Sequence, residues 1–220
     1  MERALPPLIL LAAGSSRRTG SPKGLFRLAD AFWIEAQLAA YAAAGGTQAT
    51  VVLGFHAEAF FKSCPWLGAG EFEGLPVVTV HNPDPDRGPF TSLQTALAVT
   101  VAPCFILPID VPAPQTAVWQ ALAISLHHSA ATQPTFEGRG GHPVLVGRAF
   151  ADHLRGLPAD ARLDEQLRSL PPPQRLRLPV DDERVVRNLN TPEDWATFLN
   201  LSIGNIEIKS SDQKKIANRP

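Results

Sequence analysis

Three cations, Arg17, Arg18 and Lys23, stand close together among Gly14, Ser15, Ser16 and Gly20, directly after the apolar run Leu8-Ile9-Leu10-Leu11. A phosphate needs backbone N–H groups, close approach and positive charge. Gly14 and Gly20 permit close approach and unusual dihedrals. Ser15 and Ser16 add hydrogen-bond donors. The Arg18 guanidinium offers a planar fork to phosphate oxygens, and the Lys23 ammonium a compact point charge. The spacing in "AAGSSRRTGSPKG" fits neither Gly-x-x-x-x-Gly-Lys-Ser/Thr nor Gly-x-Gly-x-x-Gly. It describes an anion site of another type, with a solvated basic loop as the plain alternative. Further along, Asp110 follows an apolar run in "CFILPID", Ser92 opens "SLQTALAV", His142 sits in "GGHPVLV" and Asn190 precedes Thr191-Pro192. Each also has an ordinary structural reading: a turn for Asp110 and Asn190, a helix cap for Ser92, a packed histidine for His142.

These residues need elements to hold them. "LILL", "ATVVL", "LPVVTV" and "CFIL" are short apolar runs, as in strands covered on both faces. Between them, "FWIEAQLAAYAAAGG" reads as a helix stopped by Gly45-Gly46, "HAEAFFKSC" as a short helix, and "TSLQTALAV" as a helix capped by its hydroxyl residues. "PQTAVWQALAISLHH" is a further helix, with His127 and His128 at its end. Strand and helix alternate, which predicts an α/β sandwich around a mostly parallel sheet. In such sheets ligands lie outside the carboxyl ends of the strands. The cationic loop, the "NPDPDRGPF" loop and Asp110 should therefore share one rim. The second half is less regular. "TQPTFEG" and "HPVLVGR" read as a strand pair, "RLDEQLRSL" as a helix, "QRLRLPV" and "RVVRNLN" as short strands. "TPEDWATFLNL" reads as a helix with Thr191 as N-cap and Pro192 at its first position. The acidic run Asp181-Asp182-Glu183 reads as a solvated hairpin turn.

Composition narrows the classes. The chain has 220 residues, 45% apolar, with a formal net charge of −1. Such a balance suits one domain over residues 1–203, with a polar, aromatic-free tail over 204–220. It lacks the basic stripe expected of a nucleic-acid binder and any apolar run long enough for a membrane helix. Cys64 and Cys104 are far apart and read as buried thiols, so cytoplasm is the default. The start "MERALPPLILLAAGSS" has the composition of a short leader, but Pro6 and Pro7 interrupt it, and cleavage near Ala13 would remove the first strand.

"LAAGSSRRTGSPK" is similar to the Leu-Ala-Ala-Gly-x-Ser-x-Arg-x-Gly-x-x-Lys signature of nucleotidyltransferases. "NPDPDRGPFTSL", "PIDVP", "GRGGHPVLV" and "NLNTPEDW" follow in the order found in the MobA-like NTP transferases, which include molybdenum-cofactor cytidylyl- and guanylyltransferases. Two departures stand out: Thr19 where methionine or phenylalanine is usual, and Asn188 and Asn190 where the family has an Asp-x-Asp. The resemblance implies a Rossmann-like three-layer sandwich of the nucleotide-diphospho-sugar transferase type. It also implies a Mg²⁺-dependent transfer of a nucleoside monophosphate from an NTP to a phosphorylated acceptor.

By the same resemblance, Leu11, Ala12, Ala13, Gly14, Ser15, Ser16, Gly20 and Ser92 border the nucleotide. Arg18 and Lys23 hold the triphosphate and offset charge as pyrophosphate leaves. Asp110 binds Mg²⁺ with Asn190, or alternatively Asn188, as second ligand, and His142 lies on the acceptor side. The Ala-Ala-Gly form leans toward CTP over GTP. Molybdopterin is one candidate acceptor, and a sugar or alcohol phosphate suits the same core. Arg139, Arg148 and Arg162 could line an acceptor cleft but read as solvated surface. Two other classes remain open: a nucleotide-binding module without catalysis, and an α/β interaction domain.

Overall fold

The computed structural model of the chain describes residues 4–16, 21–125 and 129–203. Arg17, Arg18, Thr19, Gly20, His127, His128 and the 204–220 segment lie outside the described residues. The strands are β1 (Leu8–Leu11), β2 (Arg27–Leu28), β3 (Ala31–Phe32), β4 (Ala49–Leu53), β5 (Glu71–Phe72), β6 (Leu75–His81), β7 (Cys104–Pro108), β8 (Ala131–Phe136), β9 (Arg139–Gly140), β10 (Val144–Val146) and β11 (Arg175–Pro179). The helices are α1 (Trp33–Ala43), α2 (Ala57–Ser63), α3 (Trp66–Ala69), α4 (Pro89–Leu97), α5 (Thr116–Ser125), α6 (Arg148–Arg155), α7 (Leu163–Ser169) and α8 (Pro192–Ile203).

The main sheet runs β11-β8-β10-β7-β1-β4-β6-β5, with β9 paired to β8. β1 is parallel to both β4 and β7, β4 to β6, and β8 to β11. β10 enters antiparallel between β7 and β8. The mostly parallel three-layer sandwich expected from the alternation is therefore present. From β1 the chain first moves outward to β4 and β6, then returns to the other flank for β7. The reversal at β1 opens a crevice above the carboxyl ends of β1 and β7.

Side chains alternate across each central strand, so the apolar runs feed two cores. Leu8 and Leu10, Val51 and Leu53, and Phe105 and Leu107 meet Trp33, Leu38 and Tyr41 of α1 and Trp119 of α5. Ile9, Val52 and Ile106 face the other way, onto Phe90 and Leu93 of α4, Phe150 of α6 and Leu167 of α7. This is why the runs read as uninterrupted: both faces are buried. Cys64 and Cys104 are free, buried thiols, and burial pushes each up to about 12. Among the described residues no helix is long and apolar enough to cross a membrane.

Several expectations change. α4 starts at Pro89, with Gly88 at φ +106° as its cap. Thr91 and Ser92 are therefore helical and buried rather than capping residues. "RVVRNLN" forms no strand, because Glu183–Val186 is a 3-10 turn. Nor is the acidic run wholly solvated. Asp182 is only 5% exposed. Its carboxylate accepts the Gln115 N–H at 2.7 Å and pairs with the Arg184 guanidinium at 2.8 Å, so it fastens the segment after β7. Thr191 does cap α8, its Oγ1 accepting the Asp194 N–H at 3.2 Å. α6 adds a helix beyond those expected: the apolar residues of "RAFADHLR" recur at helical spacing and bury Phe150, Ala151 and Leu154.

Candidate functional site

The chain leaves β1 still held between its neighbours. The Ala12 N–H donates to Val52 O at 2.9 Å, and the Ile109 N–H to Leu11 O at 3.0 Å. Gly54, just past β4, lets the loop lie close. A Cβ there would stand 2.6 Å from the Ala13 carbonyl oxygen, nearer than real Cβ atoms come. Two residues on, a His56 ring nitrogen lies 2.9 Å from Ser15 O, where the ring N–H donates. His56 and Gly54 thus shape the backbone of the first loop from below.

Lys23 returns to this loop on a short 3-10 turn whose backbone N–H donates to Ser16 Oγ at 3.3 Å. Gly24 permits that turn to rest on the Phe60 ring of α2, where a Cβ would meet the ring at 2.7 Å. The Lys23 side chain is 12% exposed. Its Nζ donates to Asn190 Oδ1 at 2.7 Å and to Asp110 Oδ2 at 3.2 Å.

Asp110 sits on a stiff mount. Trp33 Nε1 donates to Ile109 O at 2.6 Å, and Gln37 Nε2 to Val111 O at 2.6 Å. Gln37 Oε1 also accepts the Ala113 N–H at 2.8 Å. The carbonyl of Asp110 itself accepts the Leu189 N–H at 2.8 Å, which binds the Asn190 segment to it. Asn190 is held further by Asp194, whose carboxylate accepts the N–H groups of Asn190 and Thr191 at 2.9 and 2.8 Å. Those N–H groups keep the Asp194 carboxyl below its usual range.

α4 closes the opposite wall. Asn82, 1% exposed, donates from Nδ2 to Thr91 Oγ1 and Ser92 Oγ at 2.9 Å each. Its Oδ1 accepts the Asp84 N–H at 3.0 Å. One amide thus ties the Pro-rich loop to the start of the helix, whose positive end opens on the crevice.

The result is a cavity of about 630 Å³. Of the residues proposed from sequence, Leu11, Ala12, Ala13, Gly14, Ser15, Ser16, Lys23, Ser92, Asp110 and Asn190 all line it. Arg18 and Gly20 lie outside the described residues. Asn188 is exposed and does not line it, so Asn190 is the asparagine that faces Asp110. Sequence reasoning missed Phe55, Phe60 and Gly88 in the lining, and His56, Gln37 and Asn82 behind it. Gln37 carried a usable signal, as a polar residue within an apolar, alanine-rich helix.

His142 lies elsewhere, in an adjoining cavity of about 460 Å³ that shares Leu11, Pro89 and Pro108 with the first. Its Nδ1 is 3.4 Å from Ile106 O. Burial pushes its pKa below the ordinary value, with the Ile106 carbonyl and Asp110 pulling weakly the other way. The imidazole is therefore held neutral and offers no fixed charge to a phosphate. Gln133 and Leu163 also face this cavity. Of the three arginines weighed for an acceptor cleft, Arg162 lines this cavity, paired with Asp164 at 3.1 Å, whereas Arg139 and Arg148 are exposed and do not line it.

Two oxygen donors, the Asp110 carboxylate and the Asn190 amide carbonyl, converge on one point. Hard oxygens with room for phosphates fit a magnesium ion, which keeps few protein ligands. Among the described residues no three His, Cys, Asp or Glu side chains group closely enough to hold a metal by themselves.

A mostly parallel sheet with flanking helices, a reversal at β1 and an aspartate just past β7 fit the nucleotide-diphospho-sugar transferase fold. Solved structures agree. Rv0371c from Mycobacterium tuberculosis superposes with a TM-score of 0.73 at 24% identity, over 90% of this chain and 99% of that one. Molybdopterin-guanine dinucleotide biosynthesis protein A from Archaeoglobus fulgidus gives 0.65 at 20% identity, over 90% and 99%. Residues 8–175 match the profile of the MobA-like NTP transferase domain, and the chain belongs to that family. A curated relative, the molybdenum cofactor cytidylyltransferase of Escherichia coli (strain K12), is 25% identical over 122 residues. That stretch is 55% of this chain, and spans 62% of the relative's length.

Proposed function

We propose that this chain is a nucleotidyltransferase that moves a nucleoside monophosphate, with CTP the favoured donor, onto a phosphorylated small-molecule acceptor and releases pyrophosphate. The observation that carries this reading is the convergence of the Lys23 ammonium, the Asp110 carboxylate and the Asn190 carbonyl at the mouth of the β1 loop. An anion-binding loop and a hard-oxygen pair in one cavity suit a triphosphate better than any other common ligand.

In the proposed reaction an acceptor phosphate oxygen attacks the α-phosphorus in line. A new P–O–P link forms, and the bond to the β-phosphate oxygen breaks with its electron pair leaving on pyrophosphate. The acceptor is already anionic, so no protein base is required. The chain positions the two anions and offsets their charge. Lys23, with Arg18 as the family resemblance implies, balances charge on the leaving group. Asp110 and Asn190 would hold Mg²⁺, which supplies charge neutralisation at the phosphates. Ala12 to Ser15 and the start of α4 form the nucleotide walls. Ala13, buried over Gly54, keeps that wall tight and favours a pyrimidine. The acceptor lies in the adjoining cavity, near the neutral His142 and Gln133. Molybdopterin is a candidate there, and the relative's name supports it; sugar and alcohol phosphates are the others. The buried thiols fit a cytoplasmic setting.

A catalytically impaired nucleotide-binding module is the second reading, favoured by the neutral Asn190. The test is pyrophosphate release with each of the four NTPs, Mg²⁺ and a panel of acceptors including molybdopterin. Turnover, highest with CTP, is expected. Tight NTP binding without turnover on any acceptor selects the second reading, and the absence of both overturns the two together.

A further inference from the structure

The Lys23 ammonium touches one side-chain oxygen of each residue that would hold a metal. Nζ is 2.7 Å from Asn190 Oδ1 and 3.2 Å from Asp110 Oδ2. A magnesium ion held by these two residues would need the space that the ammonium fills. Charge works in the same direction. Asp110 and Lys23 cancel and Asn190 is neutral, so the trio itself carries no net charge; the nearby Asp194 carboxylate, which also acts on Lys23, is turned to the N–H groups of Asn190 and Thr191. With the two charged side chains only 12% and 27% exposed, water screens a second cation poorly. An aspartate at position 190 would add a further negative charge to the trio; asparagine adds none.

Lys23 can leave without unmaking its turn. Its backbone is fixed to the first loop through Ser16 Oγ. Its long stem is flexible, and it lines the same cavity as Ala13 to Ser16. A triphosphate on that loop gives the ammonium a more strongly charged partner than Asp110.

We infer that Lys23 is the resident counter-ion of the Asp110–Asn190 oxygen pair, and that a divalent metal takes this seat only when a polyphosphate draws the ammonium away. The inference rests on the nucleotidyl-transfer reading and adds its order of assembly. Metal and nucleotide bind with positive coupling, and by linkage each strengthens the other equally. Lys23 is both the phosphate ligand and the gate.

Electron paramagnetic resonance of free Mn²⁺ tests this in the absence of nucleotide. Wild-type protein should take up Mn²⁺ weakly. Lys23→Met, which keeps the stem and deletes the charge, should bind about tenfold more tightly. Lys23→Arg should stay weak, because a cation remains. Lys23→Met/Asp110→Asn should lose the gain, which locates the ion. Lys23→Gln replaces Lys23→Met if thermal melting shows that the latter is unfolded. Three results each overturn the proposal: stoichiometric Mn²⁺ uptake by nucleotide-free wild type, no gain in the neutral variant, or a gain that survives loss of Asp110. Turnover is scored separately on wild-type protein. Its absence would count against nucleotidyl transfer while the Mn²⁺ titration still decided the gate.

Discussion

At the scale of single residues, the site depends on charges that no neighbour can replace. Lys23→Ala and Asp110→Asn should each lower kcat at least about 100-fold, the usual cost of deleting a preorganised electrostatic partner. Melting temperature should change little in either variant. Full activity in both would show that the chemistry lies elsewhere. His56 acts differently, since it reaches substrate only through Ser15. His56→Ala should raise KM for the NTP roughly 3- to 10-fold, as for one lost hydrogen bond of about 0.5–1.5 kcal/mol, and leave kcat nearly intact. His56→Gln, which still donates, should recover most of the loss. Steady-state kinetics at several NTP concentrations separates the two parameters.

At the scale of elements, the aspartate and asparagine are only as well placed as the helices behind them. Gln37 of α1 supplies the partner of both Val111 O and the Ala113 N–H. Gln37→Leu leaves these buried groups unmet, at about 1–3 kcal/mol each. Urea melts should report the loss, and kcat should fall because Asp110 loosens. Asp194 does the same for Asn190 from the first turn of α8. Asp194→Ala should cost about 1 kcal/mol as a lost cap. Because its carboxyl titrates lower in the folded state than in the unfolded one, its stabilising effect is complete above the ordinary carboxylate pKa and disappears as pH falls below it. Stability curves of wild type and variant should therefore converge in acid, and a constant gap down to low pH would contradict the assignment.

For the whole molecule, the half-buried His142 sets a pH limit. His142 is held neutral by burial beside β7, with Asp110 the charged group that acts on it. Its folded pKa lies below its unfolded value, near 6.5. The unfolded chain therefore gains a proton first as pH falls, and the folded state loses relative stability below that point. His142→Asn, with an amide able to donate to Ile106 O, should flatten the decline between pH 7.5 and 5.5 in denaturant melts. Equal declines in wild type and variant would remove His142 from the account. The sheet reversal at β1 places this sensitivity next to the larger of the two cavities described, through the shared wall of Leu11, Pro89 and Pro108.

The sequence by itself determined the features that arise from local spacing. Apolar runs at β1, β4 and β7 announced strands buried on both faces, and Thr191-Pro192 announced the start of α8. Glycine, serine and lysine close together after β1 marked the segment that lines the cavity. Only the tertiary structure decided which distant groups meet. Lys23 and Asn190 are 167 positions apart, and Asn190 rather than Asn188 faces the cavity because Asp194 and the Asp110 carbonyl orient that segment. The burial of Asp182, the clamp by Gln37 and the support from His56 were equally hidden. Periodicity reports how a segment contacts its own layer, whereas these contacts depend on how the layers pack against one another, which no local pattern encodes.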